Sequence, residues 1–204
     1  MTLDDAPPLG NVYDKYESRN PVTKWLMRGF MRALDRSLPE TNPSAVLEVG
    51  VGEGEVSARV AGSFQSAFVI GVDLPSESLA EGWKGRGLRG AFGDAQRLPF
   101  RDRSFDLVLA IEVLEHLPDP AGALSEIARV AKGDVVLSVP REPIWRVGNL
   151  ARAKYVRRFG DTPGHIQHWS RRGFLRLVGG HLRVVAVSTP LPWTMVVATP
   201  RQPS

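Results

Sequence analysis

From residue 21 to about residue 38 the apolar positions Trp25, Leu26, Phe30, Ala33 and Leu34 recur near the spacing of one helix face. Asn20 followed by Pro21 supplies a cap and a first-turn proline, so the pattern predicts an amphipathic helix. Proline and asparagine between residues 39 and 44 end it. The chain then alternates. Short apolar runs at 45–49, 67–72 (ending at Asp73), 88–92, 105–111 and 134–139 read as strands, the third being the weakest. Residues 55–64, 76–84 and 120–132 read as helices, the first with Val56, Val60 and Phe64 on one face. The strands are continuous apolar runs, as expected of a parallel sheet covered by helices on both faces. Two further β-rich runs, 181–188 and 193–198, are separated by so short a link that only an antiparallel hairpin joins them. The predicted fold is α/β: a doubly wound, Rossmann-like seven-stranded sheet, mostly parallel with a C-terminal antiparallel hairpin.

Residues 50–54 form a turn between the first strand and the first following helix. In an open α/β sheet this turn lies at the ligand crevice, outside the carboxyl ends of the strands. Gly50, Gly52 and Gly54 leave three of its positions without side chains, so a ligand can approach the backbone closely. The helix N-terminus that follows favours a carboxylate or phosphate. The spacing narrows the ligand. A dinucleotide fingerprint needs glycine at position 55, which is Glu55, and no Gly-Lys-Ser/Thr closes a phosphate loop. Glu53 and Glu55 would repel a pyrophosphate but tolerate a zwitterion.

Four segments resemble motifs of the class I S-adenosylmethionine-dependent methyltransferases, in order and at plausible spacing. They are VLEVGVGEGEVS from Val46, VIGVDLPSESL from Val69, GDAQRLPFRDRSFDLV from Gly93, and AIEVLEHLPDP from Ala110, the last as in small-molecule methyltransferases with an EVLEHL motif. The resemblance implies S-adenosylmethionine as cofactor and assigns roles. Glu48 would meet its ammonium group, and Gly50, Gly52 and Gly54 would line the methionine portion. Asp73, with Leu74 beside it, would take the ribose hydroxyls, a task suited to a bidentate carboxylate. Asp94 and the Ala95 N–H would read the adenine. Ile111 and Glu112 would close the pocket, largely through backbone. Asp106 reads as a strand-start residue rather than a ligand contact.

The chain is read as a single domain, 1–204, with an N-terminal segment and helix at 1–44 and a substrate-covering insertion at 140–170. Within the insertion Ile144, Val147, Ala151 and Tyr155 fall on one helical stripe, expected to pack on the core. Arg146, Asn149, Arg152 and Arg157 fall elsewhere. The 204 residues carry a formal charge of +4. Between Arg141 and Arg172 eight basic residues face only Glu142 and Asp161, which suits an anionic or lipid-like acceptor. Arg141 and Trp145, and Tyr13 and Tyr16 from the other side, are candidate acceptor contacts. The methyl donor is already activated, so a general base is needed only for an acceptor that must lose a proton. His165, His168 and His116 are the candidates. His165 and His168 could instead orient the helix starting at Trp169-Ser170. The His-x-x-His pair has no accompanying carboxylates, so no metal is expected.

There is no cysteine, which removes disulfides, thiolate zinc sites and cysteine nucleophiles. Pyrimidine C5 and arsenite methylation are excluded with them. The basic charge invites a nucleic-acid substrate, but the Asp/Asn-Pro-Pro-aromatic segment of base amino-group methylation is replaced by Ile111-Glu112-Val113-Leu114. A small-molecule acceptor is therefore expected over RNA, and over a non-catalytic binder of the same cofactor. No apolar run approaches the ~18–20 residues of a membrane span. The start of the chain, with Asp4 and Asp5, does not read as a secretory signal, so a cytoplasmic location is expected. The oligomeric state is not legible.

Overall fold

The computed structural model describes residues 20–151, 159–162 and 164–201. Tyr13, Tyr16, Tyr155, Arg152 and Arg157 lie outside them. The elements run α1 (Pro21–Ser37), β1 (Ala45–Val49), α2 (Glu55–Ser63), β2 (Phe68–Asp73), α3 (Glu77–Gly85), β3 (Arg89–Phe92), β4 (Phe105–Ile111), a 3₁₀ turn (Leu114–His116), α4 (Pro120–Val130), β5 (Ala131–Pro140), α5 (Ile144–Ala151), α6 (Arg171–His181), β6 (Leu182–Ser188) and β7 (Trp193–Pro200). One seven-stranded sheet has the order β3-β2-β1-β4-β5-β7-β6. The first five strands pair in parallel, and β7 runs antiparallel to both β5 and β6. The expected mostly parallel sheet with its C-terminal hairpin is what forms. Among the described residues no helix is long and apolar enough to cross a membrane.

Alternation along the buried strands divides the core between two faces. Val108 and Ala110 of β4, with Val135 and Leu137 of β5, pack with Leu124 and Ile127 of α4 and Phe174 and Val178 of α6. Leu107, Leu109 and Val136 turn the other way and meet Met27, Phe30 and Leu34 of α1 and Val56 and Val60 of α2. In α1 the Asn20 side chain caps the helix by accepting from the Val22 and Thr23 N–H groups. The face that packs is Met27, Phe30 and Leu34, whereas Trp25, expected on it, is 56% exposed.

Two of the boundaries that differ from expectation bear on packing. The helix of α4 stops at Val130 and the strand begins at Ala131, before the predicted 134. The early strand start goes with a register irregularity near Phe105 and with Gly133, where a side chain would strike the Asp106 carbonyl. His181, expected to open a strand, ends α6, with Nδ1 3.1 Å from Ser125 Oγ.

Asp106 is structural, as read. Its Oδ2 accepts from Ser44 and Ala45 N–H, both at 2.9 Å, and Oδ1 meets Lys132 Nζ at 2.9 Å. It thus pins the start of β1 to β4, far from the carboxyl ends of the strands. Asp106→Ala is expected to lower the free energy of unfolding by about 1–2 kcal/mol, read by denaturant titration. Its cofactor affinity is expected to be unchanged.

Candidate active site

The turn after β1 is held to β2 from below. Gly50 and Val51 N–H both donate to the Val72 carbonyl, and Gly54 N–H donates to the Val51 carbonyl. Gly52 N–H donates to Asp73 Oδ2 at 2.7 Å, while Leu74 N–H donates to Oδ1 at 2.8 Å. From the side, Trp83 Nε1 of α3 donates to the Gly52 carbonyl at 2.7 Å. These amides are satisfied internally and form no anion cradle, which the glycine content alone had allowed.

Each glycine has its own reason. A side chain at Gly50 would collide with Val113, and one at Gly54 with Leu88. At Gly52 a side chain would meet nothing within 4 Å, yet φ is +49°. Gly50 and Gly54 serve packing. Gly52 keeps clear an open space at the crevice.

Two acids border this turn. Glu48 is only 3% exposed, and burial pushes its pKa up from 4.5 to about 8, opposed by the Ser57 hydroxyl and N–H and reinforced by the Asp73 charge. Asp73 closes β2 at the mouth of the crevice, with the exposed Leu74 after it. A carboxylate has about four lone-pair directions, so Asp73 can hold its two backbone donors and still accept from a diol. A buried acid for an ammonium group, an accepting carboxylate for a ribose and a bare backbone between them fit S-adenosylmethionine. Asp94 is exposed, and its Oδ1 accepts from Gln96 N–H at 2.8 Å, the contact of a turn residue. Ala95 packs partly against the core beside it.

Beyond β4 the chain turns sharply. Glu112 has φ +61°, which costs about 1–3 kcal/mol in a non-glycine residue. Neighbouring strands hold it there. Its N–H donates to the Ser138 carbonyl, and its carboxylate accepts from Trp193 Nε1 at 2.6 Å and from Ser138 Oγ at 3.3 Å. The Glu112 side chain is thus committed to β5 and β7, and Ile111 is buried.

The insertion begins on the same side, at the carboxyl end of β5. Arg141 there has a buried Nε with no acceptor among the described residues. A wall of rings follows. Phe30 meets Trp193 at 4.8 Å, Trp193 meets Trp145 at 5.6 Å, Trp145 stacks on His165 at 5.9 Å, and His165 meets His116 edge-on at 4.9 Å. Trp145 Nε1 donates to Thr162 Oγ1 at 2.9 Å. Of the helical stripe expected to pack inward, Val147 is 61% exposed and Ile144 37%, while Asn149, expected off the stripe, is buried and donates to the Gly160 carbonyl at 2.8 Å.

The three candidate histidines separate. His116 and His165 come together. His168 turns to Asp161 Oδ1 at 2.7 Å, within an ion-pair group that includes Arg146 and Glu142. Neither His165 nor His168 caps α6, since the Ser170 side chain does so by accepting from Gly173 N–H. Sequence reasoning missed Glu115, which is 1% exposed and lies beside His116 and His165. The signal available was its place next to His116 in the segment after β4.

Residues 47–139 match the profile of a family described as a methyltransferase domain. A demethylmenaquinone methyltransferase of Roseiflexus castenholzii is 32% identical over 150 residues, covering 69% of this chain and 63% of that protein. A fatty-acid O-methyltransferase of Mycolicibacterium smegmatis is 36% identical over 154 residues, covering 74% of this chain and 54% of that protein. The chain therefore spans less than two thirds of either relative. Among solved structures, the PH0226 protein of Pyrococcus horikoshii OT3 shares the fold, with a TM-score of 0.70 at 20% identity, covering 93% of this chain and 97% of that one. The profile match makes residues 47–139 a methyltransferase domain, and the motifs, the sheet order and these likenesses agree with one of the class I S-adenosylmethionine-dependent kind.

Proposed function

We propose that the chain moves a methyl group from S-adenosylmethionine to a small-molecule acceptor by in-line displacement at the carboxyl side of the sheet. The observation that carries this is Asp73 accepting the Gly52 N–H, with the buried Glu48 near enough to feel the Asp73 charge. The cofactor supplies a methyl group already activated on sulfonium sulfur. The chain's own task is to bind, orient and exclude water. Glu48 holds the ammonium group. Asp73 takes the ribose hydroxyls with Leu74 alongside, and Asp94 and the Ala95 N–H meet the adenine. The backbone of Ile111 and Glu112 flanks the methionine portion.

The acceptor lies against Trp145, His165 and His116, with Arg141 as the nearby cation for an acidic or anionic group. The names of the two relatives, one for demethylmenaquinone and one for fatty acids, support a small acceptor, and a lipid-like one agrees with the aromatic wall. A cytoplasmic location and a single domain over 1–204, with 140–170 as the acceptor-covering part, belong to the same proposal.

The test is a screen of candidate acceptors for production of S-adenosylhomocysteine, with calorimetry of the cofactor itself. Asp73→Ala is expected to weaken cofactor binding by about 1–3 kcal/mol, the scale of lost charge-assisted hydrogen bonds. Asp73→Asn, which keeps one acceptor oxygen, should lose less. No S-adenosylmethionine binding at millimolar concentration would overturn the reading.

A further inference from the structure

Glu115, His116 and His165 each offer one ligand atom, and the three atoms lie within 4.8 Å of one another. We propose that they bind one first-row divalent transition-metal ion, and that the ion receives an oxygen of the acceptor in an open coordination position. The second half rests on the methyl-transfer reading above. The first half does not.

The geometry is near what such an ion needs. Imidazole nitrogens and carboxylate oxygens bind zinc at about 2.0–2.2 Å, which sets neighbouring ligand atoms roughly 3.4 Å apart in a tetrahedral shell. Shifts of about an ångström would close the set around an ion. Two imidazoles and one carboxylate are the donor set of zinc and its first-row neighbours rather than of magnesium or calcium, which prefer oxygen. Three protein ligands leave positions for a small molecule, as in catalytic rather than structural sites.

The two halves of the site are joined by the backbone. Glu115 and His116 lie on the 3₁₀ turn after β4, and His165 on the insertion. Ile166 and Gln167 N–H donate to the Glu115 carbonyl at 2.9 and 3.0 Å. His116 Nδ1 lies 2.9 Å from the Gly164 carbonyl. In the tautomer that donates there, Nε2 carries the lone pair, the arrangement in which metal-ligating histidines are oriented by a carbonyl. Trp145 stacks on the His165 ring. The site also adjoins the donor crevice, because Val113, two residues before Glu115, packs over Gly50. The expectation of no metal rested on His165 with His168. The structure replaces His168 with His116 and supplies a carboxylate that spacing could not show.

The test is a cobalt(II) titration of the full chain with S-adenosylhomocysteine present, followed by its visible absorption, with zinc calorimetry in parallel. One ion per chain is expected. His165→Ala and Glu115→Gln should each weaken cobalt binding by about tenfold or more, while His168→Ala leaves it unchanged. Affinity for S-adenosylhomocysteine should stay within about twofold in all three, which shows that the fold persists. No bound ion, or equal cobalt affinity in His165→Ala and the parent, would overturn the proposal. Cobalt binding without S-adenosylhomocysteine binding would leave the ion site standing and defeat the donor reading. The opposite result would defeat only the ion site.

Discussion

Binding of S-adenosylmethionine at pH 7 is expected to release close to one proton, and its affinity should rise about tenfold per pH unit between roughly pH 5.5 and 7.5. The cause is Glu48. Burial raises its carboxyl to about pH 8, more than Ser57 can offset, and the Asp73 charge adds to the rise. Without cofactor the group is therefore mostly protonated at neutral pH. An ammonium group brought against it favours the carboxylate, so the proton leaves as the ion pair forms. Above about pH 8 the gain ends, because Glu48 is then already ionised in the free chain, and loss of the proton from the cofactor's own amino group begins to reverse it. The sign for stability is opposite. A carboxyl raised from 4.5 in the unfolded chain to about 8 in the folded one binds more protons when folded. Its contribution is fully present below about pH 4.5 and is lost as pH rises towards 8, at no more than about 1.4 kcal/mol per pH unit. Calorimetry in buffers of different ionisation enthalpy counts the proton directly. Glu48→Gln should abolish the proton release and flatten the pH dependence. Proton-neutral binding by the parent chain would remove Glu48 from the ammonium site.

What the sequence revealed and what it hid follow from the range of the interactions. The order of strands and helices is written in local periodicity, and the C-terminal hairpin in the shortness of its link. Both formed as read. The resemblance named Glu48 and Asp73, and their places near two strand ends follow from the strand-turn-helix unit, which brings those ends to one crevice. The failures are contacts between distant segments. His165 and His168 look like neighbours on a helix face, but the segment between Gly164 and Ser170 is not helical, and Gly164 has φ +89°. Their side chains therefore diverge, one to His116 and one to Asp161. Glu115 looks like a surface acid beside a histidine until the 3₁₀ turn buries it and the insertion lies over it. Trp25 shows the same limit in a regular element. Its spacing suits a core face, yet α1 packs on β7 through Phe30 and Leu34, and Trp25 is left outside. The early start of β5 after α4 goes with the close pass of Gly133 over the Asp106 backbone, a contact made 27 residues away in the chain.

The three glycines of the turn separate cofactor contact from packing most sharply. Gly52→Ala is expected to weaken S-adenosylmethionine binding by about a hundredfold or more, roughly 3 kcal/mol. The fold should lose only about 1–2 kcal/mol. The small loss comes from φ +49°, a left-handed conformation in which an L residue is strained. No further cost arises within the protein, because the added methyl meets nothing within 4 Å. The large loss arises only when a ligand occupies that space at van der Waals distance from the backbone, where overpacking is repulsive. Gly50→Ala behaves in the opposite way. Its methyl strikes Val113, so unfolding by denaturant should show the greater destabilisation, and cofactor binding should fall only as the turn is displaced. Measuring cofactor affinity by calorimetry and stability by denaturant on both variants gives a crossed pattern. If Gly52→Ala binds S-adenosylmethionine as the parent does, the space above Gly52 is not where the methionine portion lies, and the turn keeps its glycines for packing alone.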